Sequence, residues 1–271
     1  MPELPEVETV VRGLRRPLTG RTFTGATVRW PRIIAHPSAD LFPARIGGRC
    51  VVAVKRRGKY IAVELDHGWL FIHLRMSGRL RIASRDEPLA PHTHVILDLD
   101  DGRQLRFHDV RKFGRIHLVD DASCVIGRLG PEPLAEEFTL EAFRRQLERR
   151  SGRLKSLLLN QRFLAGLGNI YADEVLFAAR LHPLRRADSL SPTEQARLYE
   201  AIRSVLQSAV AERGTTLDDG GYVDVQGRAG RYRSRLAVYK RGGRPCVACG
   251  TPVERIVVGG RSTHFCPRCQ R

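Results

Sequence analysis

GRLGPEPLAEEF (127–138) divides the chain into two textures. Glycine and proline punctuate it, and neither favours a continuing helix or central strand, so the stretch reads as a domain boundary. Upstream, from about residue 24 to 119, the pattern is strand-like. VVAVKRRGKYIAVEL (51–65) is two β-rich runs around Arg57-Gly58. VILDLDDGRQLRFHDV (95–110) alternates on either side of Asp101-Gly102, a dipeptide that accepts the positive φ of a hairpin turn. Downstream, helical periodicity takes over. Leu140, Phe143 and Leu147 share a face behind Thr139 as N-cap; Leu154, Leu157 and Leu158 mark a second short helix; a third runs from about Asn169 to Ala179. Ser191-Pro192-Thr193-Glu194 is a capping box opening a helix to about Glu212. Past Gly214 the chain turns loop-rich, then β-like around Leu236–Tyr239. The expected fold class is α+β, multidomain, beginning with a sandwich of antiparallel strands.

Charge narrows the function. Lys+Arg number 46 against 29 Asp+Glu, a formal net charge of +17 on 271 residues, and 42% of residues are hydrophobic, as in folded globular proteins. From Tyr222 to Arg271 there are eleven Lys/Arg and two Asp/Glu. Such a field attracts nucleic acid or an anionic membrane and makes binding steeply salt-dependent. No apolar run approaches the roughly 18 residues of a membrane span; GWLFIHL (68–74) is among the longest. The N-terminus carries acids where a secretory signal needs a basic region and an apolar stretch. The expectation is a soluble, cytoplasmic protein that binds nucleic acid.

The clearest chemistry lies in CVACGTPVERIVVGGRSTHFCPRC (246–269). Cys246-x₂-Cys249 and Cys266-x₂-Cys269 are separated by sixteen residues, a Cys₄ zinc spacing that leaves room for a hairpin between the pairs. Four thiolates suit a closed, structural Zn²⁺ rather than a catalytic one, and the absence of a secretion signal disfavours two disulfides. Cys50 and Cys124 lie outside the motif and read as packed thiols. Arg255, Arg261 and Arg268 make the hairpin basic, suited to phosphate contacts. In NQRFLAGLGNIYADEVLFAA (160–179), Gly166-Leu167-Gly168 joins two helical runs, with Asn169 placed to cap the second. Such a turn makes an anion site from a helix N-terminus.

At the other end, MPELPEVETVVRGL (1–14) places Val7, Val10, Val11 and Leu14 on one helical face, with Glu6 and Glu8 in the first turn, where the dipole favours acids. Gly13 is expected to weaken the later turns. PELPEVETV, KRRGKY (55–60), GLGNIYADE (166–174) and the Cys₄ hairpin, with LRMSG (74–78), DVRKFG (109–114) and LGPEPL (129–134), together resemble the formamidopyrimidine-DNA glycosylase family in order and spacing. The resemblance implies an N-terminal β-sandwich catalytic domain over 1–126, a linker at 127–134, a helix–two-turn–helix domain over 135–234 and a zinc finger over 235–271. It also implies excision of oxidised purines followed by strand cleavage at the abasic site.

Removal of Met1 leaves Pro2 as a secondary amine with a reference pKa of about 7.7–8.0, against about 10.4 for Lys. A neutral amine can attack sugar C1′ and form an iminium. By resemblance, Glu3 is the acid/base beside it, Lys59 a second catalytic acid or base, and Arg261 the residue of the second elimination, with Glu6 supporting. Met76, Arg111 and Phe113 would fill the gap left by the everted base, and His92, Arg150, Lys155 and Asn169 would contact DNA. Arg149 and Arg153 flank Arg150 in a basic cluster. His73, His94, His108 and His117 show no metal-ligand pattern and read as strand packing. The Arg-rich loop 220–241, where family members hold the flipped purine, departs from the pattern and bears on lesion preference. An endonuclease VIII-like pyrimidine enzyme tends to begin Pro-Glu-Gly-Pro, whereas Leu4 favours the purine branch; a binding-only protein would lack Pro2, Glu3 or Lys59. The implied partner is damaged double-stranded DNA, bound by a monomer without a membrane.

Overall fold

The computed structural model describes residues 1–218 and 220–271. They form two compact units, Met1–Arg128 with Glu212–Arg231, and Leu129–Ala211 with Tyr232–Arg271.

The first unit opens with α1 (Leu4–Leu18), whose face of Val7, Val10, Val11 and Leu14 is fully or almost fully buried. Four strands, β1 (Phe23–Val28), β6 (Gly78–Ser84), β7 (Thr93–Leu99) and β8 (Arg103–Asp109), form an antiparallel sheet in the order β1-β7-β8-β6. A second sheet has the order β2 (Ile34–His36), β9 (Arg115–Val119), β5 (Trp69–His73), β4 (Tyr60–Leu65), β3 (Val51–Arg57). Among the described residues its only parallel pairing is β2 with β9, which departs from the all-antiparallel expectation. Both expected hairpins are present: Arg57 pairs with Tyr60 at the β3–β4 turn, and Asp101-Gly102 joins β7 to β8. Strand alternation turns Phe23, Leu97, Leu105 and Phe107 from one sheet, and Val54, Ile61, Val63 and Ile72 from the other, into a core shared with α1. Two short helices, α2 (Phe42–Ile46) and α3 (Ser123–Ile126), and a 3-10 turn at Pro31–Ile33 also belong to this unit.

Glu212–Arg231 returns to this unit, whereas the sequence alone placed it in the helical domain. Tyr222 and Val225 supply the reason, because both enter the sandwich core. Val225 also explains Gly13. An added Cβ at Gly13 would stand 2.4 Å from Val225 Cγ2. The glycine does not end α1, which continues to Leu18; it leaves the space into which the returning loop packs. Cys124 is exposed on α3 and Cys50 half-buried, so the reading of Cys124 as a packed thiol is corrected.

The second unit begins where Gly130 N–H donates to Gln161 O at 2.8 Å. Its helices are α4 (Leu140–Leu147), α5 (Leu154–Leu159), α6 (Asn169–Ala178) and α7 (Pro192–Ala211). Thr139 Oγ1 accepts from Ala142 N–H at 3.2 Å, the expected cap. Ser191 N–H donates to Glu194 at 2.9 Å while Glu194 N–H donates back to Ser191 Oγ at 3.3 Å, closing the expected capping box. Leu236–Tyr239 is not a strand. Ala237, Val238 and Tyr239 turn three successive N–H groups onto the buried Glu174 carboxylate at 2.8, 3.0 and 2.8 Å, which removes them from any ladder. The strands β10 (Glu254–Val258) and β11 (Arg261–Phe265) pair as the hairpin between the cysteine pairs. No helix among the described residues is long and apolar enough to cross a membrane.

Gly13→Ala gains roughly 1 kcal/mol of helix propensity but overpacks against a χ1-stiff valine, a cost of about 1–3 kcal/mol. The expected net effect in urea denaturation is destabilisation, reversing to stabilisation when Val225→Ala opens the space.

Candidate active site and metal centre

Glu3 is the N-cap of α1, and its burial sets the local problem: the first N–H groups of a helix need acceptors. Glu6 supplies them. One of its oxygens accepts Glu3 N–H at 2.7 Å and the other accepts Thr215 N–H at 2.7 Å. Tyr222 donates its hydroxyl to Glu6 O at 3.3 Å. The Pro2-Glu3 segment and the loop Glu212–Arg231 are therefore referred to one buried carboxylate. Gly214 approaches it so closely that a Cβ would lie 2.6 Å from Glu6 Oε1. Pro2 is buried beside Glu3.

Lys59 is buried on the β3–β4 turn. Arg56 braces that turn against α1, donating to Glu8 Oε2 at 3.1 Å and to Gly58 O at 3.2 Å. Sequence reading missed Arg56 because KRRGKY offers several equivalent cations, and only the fold selects the one facing Glu8.

Met76 is half-buried on the turn after β5, and Arg111 and Phe113 are exposed on the turn after β8. Phe113 keeps 49% of its surface, and the Arg111 guanidinium carbon lies 5.1 Å from its ring centroid. The two form an exposed cation–π pair. His92 is exposed on the turn entering β7. His73 is buried edge-on to Tyr60, with ring centroids 4.8 Å apart, and its Nδ1 accepts Arg75 N–H at 3.0 Å. Burial first, then the charges of Arg75 and Lys59, push its pKa from 6.5 down to about 3. The ring stays neutral and holds the start of the Met76 turn. Burial also lowers His94, His108 and His117, in keeping with strand packing.

In the second unit, two expected DNA contacts are joints of the fold. Lys155 is fully buried, with Nζ 2.5 Å from Asp173 Oδ1 and donating to Asn169 O at 3.0 Å. The other Asp173 oxygen accepts His264 N–H at 3.0 Å. Asn169 is not the cap, since Gly168 holds that position; its Nδ2 donates to Ser262 O at 2.8 Å. These bonds tie the Gly166-Leu167-Gly168 turn to β11. Lys155, expected to contact DNA, has its ammonium engaged by Asp173 and by Asn169 O inside the fold. Asp173 and Glu174 were missed because acids inside a helical run read as solvent-facing. Arg150 is exposed beyond α4, as is Arg261 at the start of β11.

The four cysteines converge. Their sulfurs lie within 4.8 Å of one another, with Cys246 to Cys269 at 3.9 Å and Cys249 to Cys266 at 3.5 Å. A tetrahedral ion with Zn–S of about 2.3 Å requires sulfurs about 3.8 Å apart. The four are free thiols, which removes the disulfide reading, and the set fits one structural Zn²⁺. Few apolar residues pack here, Val238 and Val253 among them, so the ion supplies folding energy that the core does not.

Three family profiles match in chain order. The formamidopyrimidine-DNA glycosylase N-terminal domain matches residues 1–116, the formamidopyrimidine-DNA glycosylase H2TH domain 129–219, and the zinc finger found in FPG and IleRS 243–271. The curated formamidopyrimidine-DNA glycosylase of Herpetosiphon aurantiacus is 51% identical over 274 residues, covering 100% of both chains. Among solved structures, the MutM (Fpg) protein of Thermus thermophilus has a TM-score of 0.89 at 47% identity, covering 99% of this chain and 98% of that one. A Lactococcus lactis Fpg mutant, solved with DNA containing Fapy-dG, has a TM-score of 0.91 at 35% identity, with 100% of both chains covered.

Lys155→Ala strands a buried carboxylate and should cost about 3–5 kcal/mol in denaturation without DNA, whereas loss of a surface phosphate contact costs within about 0.5 kcal/mol. His73 has a folded pKa below its unfolded value. Its contribution is fully present above about pH 6.5 and is lost as pH falls towards 3. A His73→Gln protein should lack that component in a stability–pH series.

Proposed function

The chain belongs to the formamidopyrimidine-DNA glycosylase family, and from that premise we propose the part each residue plays in its chemistry. The protein is a bifunctional DNA glycosylase and abasic-site lyase that acts on oxidised purines such as 8-oxoguanine and formamidopyrimidine lesions, with a zinc finger held by structural Zn²⁺. Its partner is damaged DNA.

Removal of Met1 makes Pro2 the nucleophile. Its secondary amine attacks C1′ of the everted nucleotide, the bond from C1′ to the base breaks, and the proton lost by the amine balances the one gained by the departing base. Glu3 donates a proton to the sugar ring oxygen, which opens the ring and leaves an iminium between Pro2 and C1′. The iminium acidifies the C2′ proton. Loss of that proton, with Lys59 as the acid/base, expels the 3′ phosphate. A second elimination, assisted by Arg261, expels the 5′ phosphate. Glu6 holds the Glu3 backbone so that nucleophile and acid stay in register. Met76, Arg111 and Phe113 fill the space left by the everted base, an eversion that costs a few kcal/mol. His92 and Arg150 contact the phosphate backbone, while Lys155 and Asn169 hold the turn that presents N–H groups to it. The enzyme works as a cytoplasmic monomer at the nucleoid.

The observation that carries this reading is the N-terminal arrangement: Glu3 capping α1 while Glu6 bonds both Glu3 N–H and Thr215 N–H. The bond to Glu3 N–H is half of a capping box that many helices have, whereas the bond to Thr215 N–H, 209 residues away, is one that an ordinary helix leader lacks.

Borohydride should trap the Met1-less protein covalently on 8-oxoguanine duplex, and more weakly on oxidised-pyrimidine duplex. Pro2→Gly should bind the same DNA but lose most lyase turnover. Glu3→Gln should lose about 10²–10⁴-fold in excision. Binding without any trapped adduct would leave only the DNA-binding function.

A further inference from the structure

The two turns that carry Met76, Arg111 and Phe113 meet over one buried carboxylate. Asp109 ends β8 with no exposed surface, and no ion pair among the described residues includes it. Ser77 Oγ donates to its Oδ1 at 2.5 Å, as does Arg111 N–H at 3.2 Å, and Gly114 N–H donates to its Oδ2 at 2.7 Å. Arg111 N–H also reaches Ser77 Oγ at 3.2 Å, so the two turns touch directly beneath the side chains they present. The backbone of Asp109 extends the grip to the His92 turn. Its N–H donates to His92 O at 3.0 Å, and its carbonyl lies 3.0 Å from His94 Nε2.

Glycines close the assembly from below. A Cβ at Gly78 would lie 2.9 Å from the Phe107 ring, and one at Gly114 would lie 2.3 Å from it. Both turns therefore seat on the same buried aromatic. Arg75, His92 and Lys112 all hold positive φ, at 53°, 63° and 58°, a backbone strain that persists only where the surroundings over-determine it. A buried carboxylate with three donors supplies that determination.

We infer that Asp109 is a positioning residue for base eversion: it locks the Met76 turn to the Arg111–Phe113 turn so that the three side chains enter DNA as one preorganised wedge. The inference rests on the void-filling role proposed for those three residues. An unlocked wedge must be ordered at the moment of insertion, when the cost of unstacking the base is also due. Eversion is then the step that slows, and chemistry on a nucleotide already accessible does not.

The experiment compares two substrates for Asp109→Ala and Arg111→Ala: an 8-oxoguanine duplex, and a single-stranded oligonucleotide with a preformed abasic site. Asp109→Ala should lose about ten- to a hundredfold in duplex excision, the scale of a misplaced positioning group. It should keep single-strand cleavage within about threefold, and 2-aminopurine fluorescence beside the lesion should show a slower eversion phase. Ser77→Ala, which removes one of the three donors, should show a smaller loss of the same kind and serves if Asp109→Ala fails to fold. Asp109→Asn, which retains an acceptor oxygen, should recover part of the duplex rate. Equal losses on both substrates, or full duplex activity in Asp109→Ala while Arg111→Ala is impaired, would overturn the inference alone. Full duplex activity in Arg111→Ala would instead overturn the void-filling role beneath it.

Discussion

A carboxylate taken out of water must have its oxygens filled, and this protein is organised around four that are. Glu6, Asp109, Asp173 and Glu174 are each at most 3% exposed. Each gathers donors from segments that sequence separates. Glu6 takes N–H groups from residues 3 and 215; Asp109 takes donors from residues 77, 111 and 114; Asp173 joins Lys155 to His264; Glu174 takes three successive N–H groups from 237–239. Leaving any such donor set unfilled costs more than making the bonds gains, so the carboxylates select one arrangement of these loops rather than merely favouring it.

The arrangement divides labour by charge. Acids that define geometry are inside, where hydrogen bonds hold them, while Arg111, Arg150 and Arg261 stand exposed to solvent. Burial pushes the pKa of Glu174 up, while its three backbone donors pull it down. Net charge +17 thus describes the surface more than the working interior. The same logic relocates Lys155. A lysine in a basic run beside a glycine turn looks like a DNA contact, but with Asp173 beside it in the interior it is the pin that holds the turn.

What was legible in the sequence was whatever depended on near neighbours. Helix caps at Thr139 and Ser191, hairpin turns at Arg57-Gly58 and Asp101-Gly102, and both Cys-x₂-Cys pairs are local chemistry, and each is found where its spacing placed it. The second role of Gly13 was hidden for the complementary reason. Alone it is a weak helix residue; opposite Val225 it is a missing Cβ, and residues 13 and 225 are brought together only by folding. Leu236–Tyr239 failed in the same way, since β propensity cannot anticipate a distant carboxylate that captures three N–H groups.

By itself, then, the sequence carried the α+β division at GRLGPEPLAEEF and the zinc set, because motif spacing and short-range periodicity decide them. Tertiary structure alone decided that Glu212–Arg231 returns to the first unit, that Lys155 and Asn169 are joints, and that Asp109 ties the turn at residue 77 to the turn at 111–114. Those outcomes rest on hydrogen bonds between residues far apart in the chain, whose partners are chosen by burial, and burial is a property of the folded whole.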